Sequence, residues 1–198
     1  MVAQSAEANG RVGRGRSQAR DRHRQQGNLS ESQRFSRAPR DGTTTTLALV
    51  LDGEAYIAQV GDSRAYLVRK GAAKQLTKDQ SFVQRLIDAG RMTAKEAAQS
   101  EHRNIILQAL GPEEKVVTDF YRVKLENDDY LVLCSDGLSN QVSAEDIGRI
   151  TRGIGRPEEI CKALVEEAMH TGAPDNVTVV TARLRTPEAD YRRSANGG

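Results

Sequence analysis

Residues 43–69 read TTTTLALVLDGEAYIAQVGDSRAYLVR, and the fold turns on how this stretch is read. Four threonines run into LALVL, β-branched and then apolar, the composition of a buried strand over 43–51. Asp52-Gly53 is a two-residue turn signal. Residues 54–60 (EAYIAQV) alternate, with Ala55, Ile57 and Gln59 on one face and Tyr56, Ala58 and Val60 on the other. Gly61-Asp62-Ser63-Arg64 breaks the pattern, residues 65–69 resume as a strand, and Lys70-Gly71 turns the chain into a short strand at 74–76. The expectation is an antiparallel meander of three or four strands.

Beyond it the period changes. Val83, Leu86 and Ile87 have helical spacing from Ser81, and Gly90 stops the run. Thr93 with Glu96 is a capping-box pattern opening a helix to about Ser100. Residues 105–110 read as a third short helical piece before Gly111-Pro112. Strands are expected at 116–123 and 130–134. A helix follows from Ser143 to about Thr151, and another over 158–170 with Pro157 at its first position. The last strand is expected at 176–184, and residues 186–198 are polar and read as a frayed end. There are no internal repeats. Strands, helices, strands, helices and a final strand define an α+β protein, without the strict alternation of a doubly wound sheet.

The net charge of +2 conceals a split. Residues 1–40 hold nine Arg, no Lys and three acids (Glu7, Asp21, Glu31), whereas the remainder is acidic by four charges. The large apolar residues of 1–40 are Met1, Val2, Val12, Leu29 and Phe35, too few to offset chain entropy, so a disordered Arg-rich tail is expected. Its arginines are not interleaved with aromatics and the body is acidic, which disfavours a nucleic-acid adaptor. No stretch approaches 18 apolar residues, and no apolar segment suits a secretory signal. Two Cys more than twenty residues apart fit neither a disulfide scaffold nor a zinc site. A reducing, cytoplasmic location is the expectation.

Three strands carry an Asp at one end: Asp62 after 56–61, Asp136 after 130–135, and Asp175 before 176–180. If the third strand runs antiparallel to the other two, all three share a rim. Clustered carboxylates repel, and oxygen-only ligands suit Mg²⁺ or Mn²⁺. Each Asp alone is equally an ordinary turn or cap residue. Arg64 reads either as an ion-pair partner or as a guide for an anionic substrate. Cys134, inside YLVLC, reads as core. His23, His102 and His170 lack ligand spacing.

Gly42-Thr43-Thr44, then Val60-Gly61-Asp62-Ser63-Arg64-Ala65-Tyr66, then Gln75-Leu76-Thr77-Lys78-Asp79-Gln80 resemble, in order, the middle of the metal-dependent protein phosphatase family (type 2C). LQALG at 107–111, Leu133-Cys134-Ser135-Asp136-Gly137-Leu138 and GAPDNVT at 172–178 continue the resemblance, in its bacterial form. It implies a β-sandwich flanked by helices, here incomplete on its N-terminal side. It covers a phosphatase-like body at 41–185, with 79–112 resembling the mobile flap. The implied reaction is hydrolysis of phosphoserine or phosphothreonine by hydroxide held on two Mn²⁺ or Mg²⁺ ions. Asp136 and Asp175 resemble ligands of the paired centre; Asp62 resembles a ligand, with Asp136, of a weaker third metal. The implied partners are phosphoproteins and the Ser/Thr kinases that modify them, not membranes or nucleic acid.

The family's first section is not matched. An Arg that clamps phosphate, and an Asp-Gly-x-Gly-Gly motif whose Asp bridges the metals, are absent, and the Arg-rich tail stands in their place. The expectation is a phosphatase missing its first third, binding fewer metals with little or no turnover. The alternative is an inactive remnant or a non-catalytic phosphoprotein-binding module.

Overall fold

The computed structural model describes residues 41–112, 114–172 and 174–185; residues 1–40 and 186–198, expected as tail and frayed end, lie outside the described residues. Among the described residues, 43–110 and 115–185 group as one compact unit. Asp41 and Gly42 group separately with 111, 112 and 114, where Gly111 (φ +119) packs against the Asp41 carbonyl.

β1 (Thr45–Leu51) and β2 (Glu54–Val60) form a hairpin closed by Asp52 and Gly53, both at positive φ (50° and 75°), the two-residue turn that Asp-Gly favours. β5 (Asp119–Lys124) pairs with the other edge of β2. β3 (Arg64–Arg69) pairs with β4 (Ala72–Gln75) and with β6 (Tyr130–Cys134), and β6 pairs with β7 (Val179–Arg183). Two antiparallel sheets result, β1-β2-β5 and β4-β3-β6-β7.

The expected single meander is therefore corrected to two hairpins in two sheets. The chain leaves one sheet for the other at Gly61-Asp62-Ser63. Gly61 adopts φ +107 and packs on the Thr44 side chain so closely that a Cβ has no room. Alternation reports which face a residue takes but not which strand it pairs with, so the crossing is invisible to the pattern.

Helix α1 (Phe82–Asp88) is N-capped by Ser81, and α2 (Ala94–Gln99) carries the expected capping box of Thr93 and Glu96. The helix expected at 105–110 is not formed. Phe82 N–H donates to the Ile105 carbonyl at 2.8 Å and Leu107 N–H to the Gln80 carbonyl at 2.7 Å, so the segment's backbone bonds to the chain around Ser81 instead. Ile105, Ile106 and Leu107 are consecutive and all exposed, a pattern without a helical face. Three further helices follow: α3 (Asp136–Ser139), α4 (Ala144–Ile154), capped by Ser143 and ended by Gly155 at φ +76, and α5 (Pro157–His170). β5 begins at Asp119 and β7 at Val179, each three residues later than the composition indicated.

One core lies between the four-stranded sheet and the helices α4 and α5. Tyr66, Val68 and Val132 meet Ile147, Ile160 and Leu164 there, all buried. A second core joins the sheets, with Ala55 of β2 against Leu67 and Leu131. Full burial stabilises by about 1.5–3 kcal/mol per large aliphatic side chain. The architecture is the α+β sandwich with flanking helices. The outer face of the three-stranded sheet is bare among the described residues: Leu47, Leu49 and Phe120 are 52%, 42% and 58% exposed.

Candidate active site

Register sets the site. Arg64 opens β3, Cys134 ends β6 and Val179 opens β7, and the three are cross-strand neighbours on one rim of the sheet. Asp62 lies just before Arg64, Asp136 just after Cys134, and Asp175 in the loop entering β7.

Local bonds hold each loop. At the crossing, Gly61 N–H donates to Gln80 Oε1 at 2.8 Å, Gln59 Nε2 donates to the Gly61 carbonyl at 2.9 Å, and the Thr44 and Ser63 hydroxyls are 2.8 Å apart. At the other side, Ser135 Oγ donates to the Asn176 carbonyl at 3.1 Å and accepts from Thr178 N–H at 3.0 Å. Gly137 is seated directly on the Asn176 carbonyl, where no side chain fits. These contacts bring the Asp175 loop to the start of α3, which carries Asp136.

The electrostatics describe two repelling pairs that share Asp136. Asp62 is pushed up to about 6, first by burial and then by Asp136 and Asp79. Asp136 is raised first by burial and then by Asp175. Asp175 is exposed, and its Oδ1 accepts from Asn176 N–H at 2.7 Å. Arg64 offsets these charges least of the influences on Asp62 and Asp136, because it faces Asp79: Nε to Oδ1 is 2.8 Å and Nη2 to Oδ2 is 2.7 Å. Of the two readings of Arg64, the ion pair is the one observed.

A cleft of about 460 Å³ opens over this rim. Asp62, Arg64, Asp79 and Asp136 line it on the sheet side, and α1 and α2 supply Val83, Ile87 and Ala97 opposite. Asp175 does not line it. Among the described residues, no three His, Cys, Asp or Glu side chains gather closely enough to hold a metal ion together. The donor chemistry nevertheless fits a hard cation at either carboxylate pair, since both pairs are oxygen-only and lack a dedicated cationic partner, and water fills the remaining positions around such ions. A third, bridging carboxylate for a paired centre is not among the described residues.

Cys134 is core: it is 5% exposed, and burial pushes its thiol up to about 12. His102 packs edge-on against Phe82 and His170 ends α5; neither lines the cleft, and His23 lies outside the described residues. Sequence reasoning missed the parts that Asp79, Ser139, Asn140 and Arg103 play in lining the cleft. Asp79 sat in a quoted motif, but nothing local marked it as the partner of a residue fifteen positions away.

Comparison with known proteins agrees with this geometry. The family model "Protein phosphatase 2C" matches residues 4–86. Protein phosphatase PhpP of Streptococcus pneumoniae is 37% identical over 149 residues, which is 75% of this chain and 61% of that protein. The crystal structure of the Mycobacterium tuberculosis serine/threonine phosphatase PstP/Ppp superposes with a TM-score of 0.76 at 36% identity, covering 82% of this chain and 68% of that one. The PstP catalytic domain in complex with two manganese ions gives 0.78 at 34% identity, covering 91% and 74%. The fold, the order of motifs and these similarities place the chain in the protein phosphatase 2C family. It spans about three fifths of the length of the pneumococcal relative.

Proposed function

We propose that this chain hydrolyses phosphoserine and phosphothreonine esters on proteins, with Mn²⁺ or Mg²⁺ held by Asp136 together with Asp175 on one side and Asp62 on the other. The observation that carries the reading is the rim itself, where Asp136 is the common member of two unneutralised carboxylate pairs beneath a cleft large enough for a phosphorylated side chain. When bound, the cation supplies charge neutralisation and Lewis acidity at the phosphoryl oxygens. The chain's own residues do the rest. Ser135 and Gly137 lock the Asp175 loop to α3, so the two carboxylates are held at a fixed spacing. The Arg64–Asp79 pair keeps the guanidinium from neutralising Asp62, leaving that carboxylate available to a cation. The α1–α2 segment, within the flap proposed at 79–112 of a 41–185 domain, walls the cleft from water.

The proposed partners are phosphoproteins and the Ser/Thr kinases that act on the same sites. No described helix is long and apolar enough to cross a membrane, and a cytoplasmic location is proposed with it.

A second reading, a phosphoprotein-binding module without turnover, draws on the lack of a three-carboxylate cluster among the described residues. Hydrolysis of p-nitrophenyl phosphate with and without Mn²⁺ separates the two. Slow, Mn²⁺-dependent turnover that Asp136→Asn removes supports the first. Mn²⁺-dependent binding of a phosphopeptide without turnover supports the second.

A further inference from the structure

The cleft has two unlike walls. The sheet-side wall is carboxylate-rich. The opposite wall comes from α1 and α2, and its apolar part is Val83, Ile87, Ala94, Ala97 and Ala98. Val83 and Ala97 are buried, and the Thr93–Glu96 capping box fixes the start of α2, so this wall is a built surface. Its three alanines project only methyl groups, which leaves volume in front of them. The cleft's 460 Å³ exceeds what a phosphate and its waters occupy. Ser139 also lines the cleft, and its hydroxyl is buried without a hydrogen-bond partner among the described residues.

We infer that the α1–α2 wall is a side-chain pocket that selects phosphoprotein segments with a medium-sized aliphatic residue, such as leucine, next to the phosphorylated residue. The inference rests on the phosphatase reading, which assigns the phosphate to the carboxylate rim. With the phosphate there, a neighbouring peptide side chain has the apolar wall to meet. A leucine removes its own surface and that of Ile87 and the alanines from water. An aspartate at the same position loses hydration against an apolar wall. Arg103 is the one cationic lining residue besides the committed Arg64, and it is exposed.

The test measures fluorescence anisotropy of peptides carrying a non-hydrolysable phosphonate analogue of phosphoserine, with the full chain and Mn²⁺. Leucine, alanine or aspartate is placed in turn at the two positions on each side. One position is expected to prefer leucine over aspartate by about tenfold, the discrimination typical of one filled apolar pocket. Ala98→Leu fills the pocket from an exposed helix position that tolerates leucine. It is expected to shrink the preference to within about twofold with an unchanged far-UV spectrum. A flat profile, or an aspartate preference that Arg103→Ala removes, overturns the pocket. Mn²⁺-dependent turnover of p-nitrophenyl phosphate in the parent chain reports on the underlying reading independently: turnover with a flat profile rejects the pocket alone, whereas no peptide binding and no turnover reject both.

Discussion

Arg64 and Asp79 meet in a forked ion pair on the cleft wall, with only 24% and 12% of their side chains exposed. The pair ties the first residue of β3 to the loop after β4, and Gln75 Nε2 adds a 3.3 Å bond to the same carboxylate. Removing one partner strands a half-buried charge. Asp79→Leu is therefore expected to cost about 2–3 kcal/mol, and Arg64→Leu in the same background to recover more than half of it. Urea unfolding of the four proteins of the cycle measures this; additive losses would show that the pair contributes no coupling.

Gly137→Ala tests the link between Asp136 and Asp175. The added methyl meets the Asn176 carbonyl, which is backbone and can yield only by moving the loop. The expected outcome is a loss of about 1–3 kcal/mol in stability together with at least tenfold weaker Mn²⁺ affinity by calorimetry. Weakened folding with unchanged Mn²⁺ affinity would mean that the spacing of these two carboxylates does not matter to the cation.

Asp62 gives the metal-free protein a pH dependence of definite sign. Its folded pKa lies near 6, above the ordinary carboxylate value of 3.8. The folded state thus binds its proton more tightly than the unfolded state, so this contribution is fully present below about pH 4 and is lost as pH rises through 6. Asp62→Asn is expected to stabilise the metal-free chain at pH 7.5 by about 1 kcal/mol, a figure reduced for partial exposure and equal to roughly 3 °C in Tm. Thermal melts in chelator at pH 4.5 and 7.5 should show the gain only at the higher pH. A gain of equal size at both would disprove the titration.

The face of the three-stranded sheet that is bare among the described residues predicts self-association. Leu47 and Leu49 lie on β1, an edge strand of TTLALVL without a single charge, and Phe120 is exposed on β5. Unprotected apolar edges and faces template aggregation. Leu49→Lys with Phe120→Lys is expected to raise the concentration at which light scattering first appears several-fold, with the Tm within about 2 °C of the parent, since both side chains are already exposed. An unchanged scattering threshold would place the sticky surface elsewhere.

Much of the local structure is legible in the sequence. Ala55, Ile57 and Gln59 do share the buried face of β2, Tyr130–Cys134 is a strand at the bounds its composition suggests, and Thr93 with Glu96 does form a capping box. Residues 105–110 misled because short apolar runs have no decisive period, and a backbone partner distant in the chain settled the matter. In the site, the positions of Asp62 and Asp136 beside strand ends were legible, whereas Asp175 lies in the loop four residues before β7. That they form two pairs sharing Asp136, and that Arg64 belongs to Asp79, was not.

What the sequence by itself determined is what depends on neighbours within one turn or one strand: the caps of α1, α2 and α4, the Asp52-Gly53 hairpin, the alternation of β2, and the ordered motifs of the family. Those features follow from dihedral preferences and bonds that close within a few residues. The tertiary structure alone decided which sheet each hairpin joined, the register that aligns Arg64, Cys134 and Val179 on one rim, and the bonds from Ser135 to Asn176 and Thr178, more than forty residues away. Such contacts are selected by the simultaneous burial of many side chains, and no window of sequence contains both of their ends.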